Sequence, residues 1–67
     1  MKNRVKEFRE ACGLTQKELG EKVNVSRQAI NAIETGKYDP SIWLAYHLAH
    51  YFGQPIEELF QFEEEKK

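Results

Sequence analysis

Residues 16–35 read QKELGEKVNVSRQAINAIET, and this stretch joins two short amphipathic helical patterns with almost no linker between them. Leu19 and Val23 are four residues apart and share one helical face, while Gly20 beside them is small enough to let another helix approach closely. Asn24 lies between the two patterns, where asparagine tolerates the left-handed backbone conformation. The stretch therefore predicts two helices joined by a tight turn at Asn24.

Capping residues indicate where these two helices begin and end. Thr15 and Glu18 have the spacing of a capping box, in which each side chain satisfies a backbone N–H of the other residue. Ser26 is suited to cap the second helix, and Gly36 is suited to terminate it. The second helix is thus predicted to span about nine residues, or roughly two and a half turns.

The second helix has one apolar and one polar side. With the period of an α-helix, the apolar residues fall on one side, which is predicted to face inward; they are Ala29, Ile30 and Ile33. The opposite side carries a cation, two carboxamides and a hydroxyl, which belong to Arg27, Gln28, Asn31 and Thr35. Asn and Gln pair bidentately with adenine, Arg pairs with guanine or a phosphate, and the methyl group of Ala32 can contact a thymine methyl. This side therefore has the chemistry to read the edges of base pairs.

The stretch resembles the helix-turn-helix of the Cro/CI (XRE-like) family, which includes lambdoid phage repressors and many small bacterial regulators. The resemblance covers about residues 3–60 and includes the flanking runs REACGLTQKELG (9–20) and IETGKYDPS (33–41). The apolar and small positions that match the family are Leu19, Gly20, Val23, Val25, Ile30 and Ile33. Asn24 departs from the older phage motif, which favours Gly there. The resemblance implies an all-α, compact five-helix domain like that of the lambda repressor, which a short terminal β-strand or ribbon can extend.

The resemblance also implies a function: a sequence-specific DNA-binding transcriptional regulator that binds double-stranded DNA as a homodimer at a palindromic operator. Repression by occupying a promoter is expected, and activation through a polymerase contact is the alternative. Two-fold-related recognition helices would enter successive major grooves about 34 Å apart. The expected base-reading residues are Arg27, Gln28, Asn31, Ala32 and Thr35. The residues expected to contact DNA phosphates are Gln16, Ser26, Lys37 and Tyr38. For Gln16 the alternative is a solvated helix position.

The first helix is predicted from Lys2 to Cys12, although Met1 to Arg4 could instead be extended. Its apolar face comprises Val5, Phe8 and Cys12, and Gly13 ends it. Arg9 borders this face, and Glu34 borders the apolar face of the recognition helix. The resemblance implies that Arg9 and Glu34 form a partly buried structural ion pair, whereas the alternative is two separate solvated charges.

A fourth helix is predicted to begin with Ser41 as its cap and to end at Gly53. The residues expected to face the core are Ile42, Ala45, Leu48, Ala49 and Phe52. Trp43 falls outside this stripe, so it is either a partly exposed aromatic residue or an interface anchor. His47 and His50 have a spacing that can hold a metal, but no Cys or carboxylate cluster completes a ligand set. Surface histidines and no metal site are therefore predicted.

Pro55 is predicted in the first turn of a short fifth helix, after which Phe60 and Phe62 alternate with Gln61 in a strand-like period. A dimerisation segment is expected at about residues 55–63. The residues predicted to lie at the dimer interface are Ile56, Phe60 and Phe62, with Trp43 as a further candidate. The alternative for Phe62 is that it folds back over its own core.

Length and composition are those of one soluble domain. A chain of 67 residues is near the lower limit for a self-sufficient core, so dimerisation would help it to fold. Its 40% hydrophobic and 31% charged content is typical of a globular protein. No apolar run approaches the length of a membrane span, no signal peptide is recognisable, and Cys12 is the one cysteine. We therefore expect a cytoplasmic protein without a membrane partner.

The net charge of −1 is unevenly distributed along the chain. Residues 1–38 contain eight Lys or Arg and five Asp or Glu, giving +3, while residues 39–67 contain two and six, giving −4. The first part is expected to face phosphate and the second to face away from it.

Two other classes of function compete with this interpretation. One is a protein-interaction role for the same fold, as an antitoxin or an adaptor. The other is an enzyme, which needs a pocket that holds a nucleophile, a base or a metal. No HExxH, GxSxG or phosphate-loop motif occurs, so no catalytic residue and no cofactor is predicted, and no small-molecule ligand is evident.

Overall fold

The computed structural model describes residues 1–61, and these residues form five α-helices. The helices are α1 (Val5–Ala11), α2 (Gln16–Val23), α3 (Arg27–Glu34), α4 (Ile42–Phe52) and α5 (Ile56–Leu59). The predicted all-α, five-helix architecture is therefore confirmed. No helix in this part of the chain is long and apolar enough to cross a membrane.

The start of the chain is extended rather than helical, so α1 is shorter than the predicted helix. Asn3 and Phe60 form an isolated antiparallel β-bridge. Arg4 N donates to Leu59 O at 2.8 Å, and Gln61 N donates to Lys2 O at 2.9 Å. Because these backbone groups are paired across the two chain ends, residues before Val5 do not join the helix. The bridge is the short terminal β-structure that the resemblance allowed.

The predicted caps are present at α2 and α3. Glu18 N donates to Thr15 Oγ1 at 3.0 Å and Thr15 N donates to Glu18 Oε1 at 2.9 Å, which completes the capping box. Asn24 has a φ of 67°, in the left-handed region. Ser26 Oγ accepts from Ala29 N at 3.1 Å. Both helices of the central stretch are thus delimited by local hydrogen bonds.

The core lies between all five helices and is almost entirely apolar. Its fully buried large side chains are Val5, Leu19, Ile30, Ile33, Leu48, Leu59 and Phe60. Phe8, Leu14, Val23, Val25, Phe52 and Ile56 are partly buried against it. The single buried charged residue among residues 1–61 is Arg9.

Two residues expected in the core are exposed. Cys12 is exposed, because the chain reverses directly after α1 and the inward space is occupied by Arg9 and Leu14. Leu14 N donates to Arg9 O, and Arg9 Nη1 donates to Leu14 O. Ile42 is 70% exposed, whereas Leu44, which was not predicted, is buried. Side chains in a helix lean toward its N-terminus, so the first residue of α4 projects past the start of the helix.

The prediction that Phe60 lies at a dimer interface is wrong for this residue. Phe60 is 1% exposed and belongs to the core of its own chain. The bridge to Asn3 fixes the backbone after α5 in an extended conformation, and Phe60 is buried together with Leu59. Ile56 is half-buried. Phe62, the third residue of that prediction, lies outside the described residues.

Candidate nucleic-acid interface

The polar side of α3 is presented to solvent, while its other side is locked into the core. Arg27, Gln28 and Asn31 are exposed, and Ile30 and Ile33 are fully buried. Within residues 1–61, the side-chain amides of Gln28 and Asn31 make no hydrogen bond to the chain itself. Two carboxamides that are exposed and unbonded, on a helix whose orientation is fixed, are available to pair with a ligand.

A close contact between α2 and α3 sets the position of the recognition helix. Val25 N donates to Gly20 O at 2.9 Å. A Cβ atom built on Gly20 would lie 2.5 Å from Val25 O, which is a backbone atom. Only glycine therefore permits this approach, and the left-handed Asn24 turns the chain into it. The geometry of the two-helix unit is thus determined by its backbone.

Arg9 and Glu34 meet as the resemblance implied, and they attach α1 to the end of α3. Arg9 Nε lies 2.6 Å from Glu34 Oε2, and Arg9 Nη2 donates to Glu34 Oε1 at 3.2 Å. Their side chains are only 11% and 3% exposed. The hydrogen bond to Glu34 raises the pKa of Arg9 above its ordinary value, against the lowering effect of burial. The guanidinium of Arg9 is therefore held in its charged form, and two hydrogen bonds fix its position against Glu34.

Gln16, expected at a phosphate, is part of the same network. Its Nε2 donates to Glu34 Oε1 at 3.0 Å. Together with Arg27, Gln28 and Asn31 it lines a shallow notch of about 290 Å³. The Gln16 side chain is half-buried, so it is anchored beside the residues predicted to read bases rather than freely solvated.

The other residues of the predicted base-reading set differ in the contacts that they can make with a base. The hydroxyl of Thr35 donates to Asn31 O at 3.0 Å, so its proton is committed to its own helix and lone pairs remain for a ligand. Ala32 is half-buried at the edge of the polar side. These two residues can add a methyl contact and an acceptor, whereas directional donors come from Gln28, Asn31 and Arg27.

The predicted phosphate contacts lie at both ends of α3. Ser26 is exposed at the N-terminus of the helix, where its hydroxyl already serves as the cap. Lys37 and Tyr38 are exposed in the loop that follows α3. The backbone N–H groups of Lys37 and Tyr38 donate to Ala32 O at 3.0 and 3.2 Å, which holds the loop against the end of the helix. The residues predicted to contact phosphates therefore lie on either side of the amides.

One positioning residue was missed in the sequence. Asn3 Nδ2 donates to Ile33 O at 2.9 Å, and Asn3 Oδ1 accepts from Val5 N at 3.1 Å. Asn3 thus ties the start of α1 to the last turn of α3. An asparagine two residues before a helical pattern is a capping signal that could have indicated the second contact, but nothing local indicates the first.

The histidines and the tryptophan of α4 lie apart from this notch. His47 and His50 are exposed, and the Tyr46 ring stacks on that of His50 with centroids 5.8 Å apart. Residues 1–61 contain no group of three His, Cys, Asp or Glu side chains that could hold a metal ion. Trp43 is 70% exposed. None of these residues lines the notch on α3.

Comparison with known proteins agrees with this geometry. A sequence model described as Helix-turn-helix matches residues 5–59. The HTH-type transcriptional regulator MJ0272 of Methanocaldococcus jannaschii is 50% identical over 66 residues, which is 98% of this chain and 100% of that protein. An HTH-type transcriptional regulator of Archaeoglobus fulgidus is 48% identical over 66 residues, covering 98% and 94%. YgzD of Bacillus subtilis, also an HTH-type transcriptional regulator, is 48% identical over 65 residues, covering 97% and 98%. The chain belongs to the Cro/CI-type (XRE-like) helix-turn-helix family of transcriptional regulators.

Proposed function

We propose that this protein binds double-stranded DNA sequence-specifically through the exposed side of α3 and represses transcription as a homodimer on a palindromic operator. The observation that carries the proposal is the pair of exposed amides of Gln28 and Asn31, which make no hydrogen bond within residues 1–61, on a helix whose other side is buried. Exposed carboxamides on a rigid helix can pair bidentately with adenine in the major groove.

The residues around the two amides support separate roles, one in reading bases and one in contacting the sugar–phosphate backbone. Arg27 begins the helix and can bind either guanine or a phosphate. Gln16, Ser26, Lys37 and Tyr38 are placed at the helix ends, where contacts to the sugar–phosphate backbone would fix the register without reading sequence. The base-reading set is Arg27, Gln28, Asn31, Ala32 and Thr35.

The homodimer follows from the size of the recognition element. An α3 of eight residues can contact only a few base pairs, so a second copy related by a two-fold axis would double the contacted sequence. Two such helices enter successive major grooves about 34 Å apart, which requires an operator with inverted half-sites. A dimer of this kind that covers a promoter would block access of the polymerase.

Selection of bound sequences from a random duplex pool tests the proposal directly. We expect a two-fold motif with half-sites about 10 base pairs apart from centre to centre. Gln28→Ala and Asn31→Ala should each relax the preference at one position of each half-site, with a loss of discrimination of about 1–3 kcal/mol. Gln61→Ala, which removes an exposed amide on another part of the chain, should select the wild-type motif. The proposal would be overturned if the pool yielded no enriched motif. It would also be overturned if a variant with both Gln28→Ala and Asn31→Ala selected the same motif as the wild type.

The sign of regulation needs a separate measurement. Transcription in vitro from a template whose promoter overlaps the selected operator should fall as the protein is added. It should not fall on a template with scrambled half-sites. A rise in transcript would instead identify an activator and would leave the DNA-binding proposal intact.

A further inference from the structure

Helix α4 exposes large hydrophobic side chains on the side that faces away from the core. Its sequence, IWLAYHLAHYF, contains no Asp, Glu, Lys or Arg. The inward side, which comprises Leu44, Ala45, Leu48 and Ala49, is buried. On the other side Ile42 and Trp43 are each 70% exposed and Tyr46 is 52% exposed. These three residues are here called the α4 outer face, and His50, whose ring stacks on that of Tyr46, borders it. Large apolar side chains exposed side by side are typical of an interaction surface.

We propose that the α4 outer face is the two-fold contact of the homodimer, with a second copy of this chain as its occupant. The inference rests on the dimer in the proposed function and specifies its surface. Ile42, Trp43 and Tyr46 fall within one turn of α4, so two antiparallel copies of the helix can place the same residues against each other. Such a self-complementary contact is what a two-fold axis requires.

The available area is consistent with a dimer of a small domain. Because a covered aromatic side chain buries about 150–250 Å², the three residues would remove on the order of 400 Å² per protomer from water. The pair of faces would supply about two thirds of the roughly 1,200 Å² that a specific interface needs, and the rim would supply the rest. Trp and Tyr are also the residue types that most often dominate binding energy.

Charge favours this face over the segment predicted from sequence. The segment predicted from sequence, residues 55–63, contains three Glu and no Lys or Arg, so two copies that meet through it bring like charges together. On α5, Ile56 is half-buried and is followed directly by exposed Glu57 and Glu58, and Phe60 is not accessible. The α4 outer face contains no carboxylate. Two copies can therefore meet there without burying an unpaired charge.

The contact would leave the recognition side of α3 accessible. The notch is lined by Gln16 and the exposed residues of α3, and it includes none of Ile42, Trp43 and Tyr46. A dimer through α4 would therefore leave this notch uncovered.

Trp43 is the only tryptophan in the sequence, so its fluorescence reports directly on this face. We expect sedimentation equilibrium to show a dimer of the full chain, and we expect Trp43 emission to shift to longer wavelength as dilution dissociates it. The double variant Ile42→Gln, Tyr46→Gln keeps the fluorophore and should raise the dimer Kd by at least about 30-fold. Its far-ultraviolet circular dichroism should match the wild type, because both side chains are exposed in the monomer.

Tyr51→Gln is the matched control, since Tyr51 is an exposed aromatic residue near the other end of α4, where its ring packs edge-on against Phe52, and it should leave the dimer Kd unchanged. A monomeric wild-type chain, a Trp43 emission that does not depend on concentration, or a double variant with the wild-type Kd would each overturn the inference. An error in the assigned dimer surface can be distinguished from an error in the proposed function. If the double variant retains the wild-type Kd while sequence selection still yields a two-fold motif, only the surface is wrong.

Discussion

Gln16 Nε2 donates a hydrogen bond to Glu34 Oε1 at 3.0 Å, which ties the first residue of α2 to the last residue of α3. The same carboxylate accepts two hydrogen bonds from the guanidinium of Arg9 in α1. Three helices therefore meet at one buried carboxylate. This carboxylate also orients a glutamine amide beside the exposed amides of α3, so one network joins the fold to the side of α3 that we propose to contact DNA.

Removal of the Gln16 amide should weaken binding to all DNA sequences alike. In Gln16→Ala the carboxylate of Glu34 keeps its bonds to Arg9, so the fold should be little affected. Loss of one hydrogen bond from an amide to a charged phosphate should cost about 1.5–3 kcal/mol of binding free energy. The slope of log K against log salt should not change, because no cation is lost. Titration of the selected operator and of a scrambled duplex at several salt concentrations checks this. A changed motif in sequence selection would instead show that Gln16 reads a base.

Truncation of Arg9 should be far more costly than truncation of an exposed arginine. Arg9→Ala leaves the 3% exposed side chain of Glu34 without its cation, and an unpaired buried charge costs about 3–5 kcal/mol. Arg4→Ala is the control, because the Arg4 side chain makes surface contacts within residues 1–61: ion pairs with Glu7 and Glu58, whose side chains are 66% and 59% exposed, and a contact with the Phe8 ring. Each surface ion pair should contribute at most about 1 kcal/mol. Urea denaturation of both variants provides the free energies of unfolding. Equal effects of the two variants would contradict the role of the buried pair.

Gly20→Ala should displace the recognition helix as well as destabilise the domain. The new Cβ would meet Val25 O at 2.5 Å, and relief requires a backbone shift that typically costs about 1–3 kcal/mol. Gly13→Ala separates this clash from simple backbone strain. Gly13 has a φ of 72° but no atom within 4 Å of an added Cβ. Both variants should lose stability, but only Gly20→Ala should lose operator affinity when both are measured under conditions where they are folded.

The parts of this structure that could be predicted from sequence are those fixed by local hydrogen bonds. The Thr15 and Ser26 caps and the left-handed Asn24 each involve residues within a few positions of one another, so the boundaries of α2 and α3 could be read directly. The polar side of α3 followed from the same boundaries. A helical period was sufficient there because both ends of the helix were known.

The errors arose where distant parts of the chain meet. Asn3 and Phe60 pair across almost the whole sequence, and no local pattern indicates that this bridge buries Phe60. The exposure of Ile42 depends on where α4 begins relative to its neighbours, which periodicity does not define. The Gln16 bond to Glu34 was also missed, because the resemblance suggested each residue's role separately.

Lys37→Ala should weaken binding in a different way from the loss of an amide. Lys37 is exposed in the loop after α3, and a lysine at a phosphate releases a counterion when it binds. Affinity for operator and scrambled duplexes should fall together, and the salt slope should become shallower by about 1. Tyr38→Phe removes a neighbouring hydroxyl without changing charge, so its salt slope should equal that of the wild type. A Lys37→Ala protein with an unchanged slope would place this lysine away from the DNA backbone.

Phe60 provides the sharpest test of the C-terminal segment, because burial and interface use predict opposite dependences on protein concentration. A core phenylalanine replaced by alanine costs about 3–5 kcal/mol, which can unfold a domain of this size, so Phe60→Leu serves as the milder variant. Denaturant unfolding below the dimer Kd should already show the full loss of stability in Phe60→Leu, since the side chain is 1% exposed within a single chain. Ile56→Ala, which truncates a half-buried neighbour, should lose less. If Phe60→Leu unfolded like the wild type in the monomer and differed only in its dimer Kd, Phe60 would lie between two chains rather than inside one.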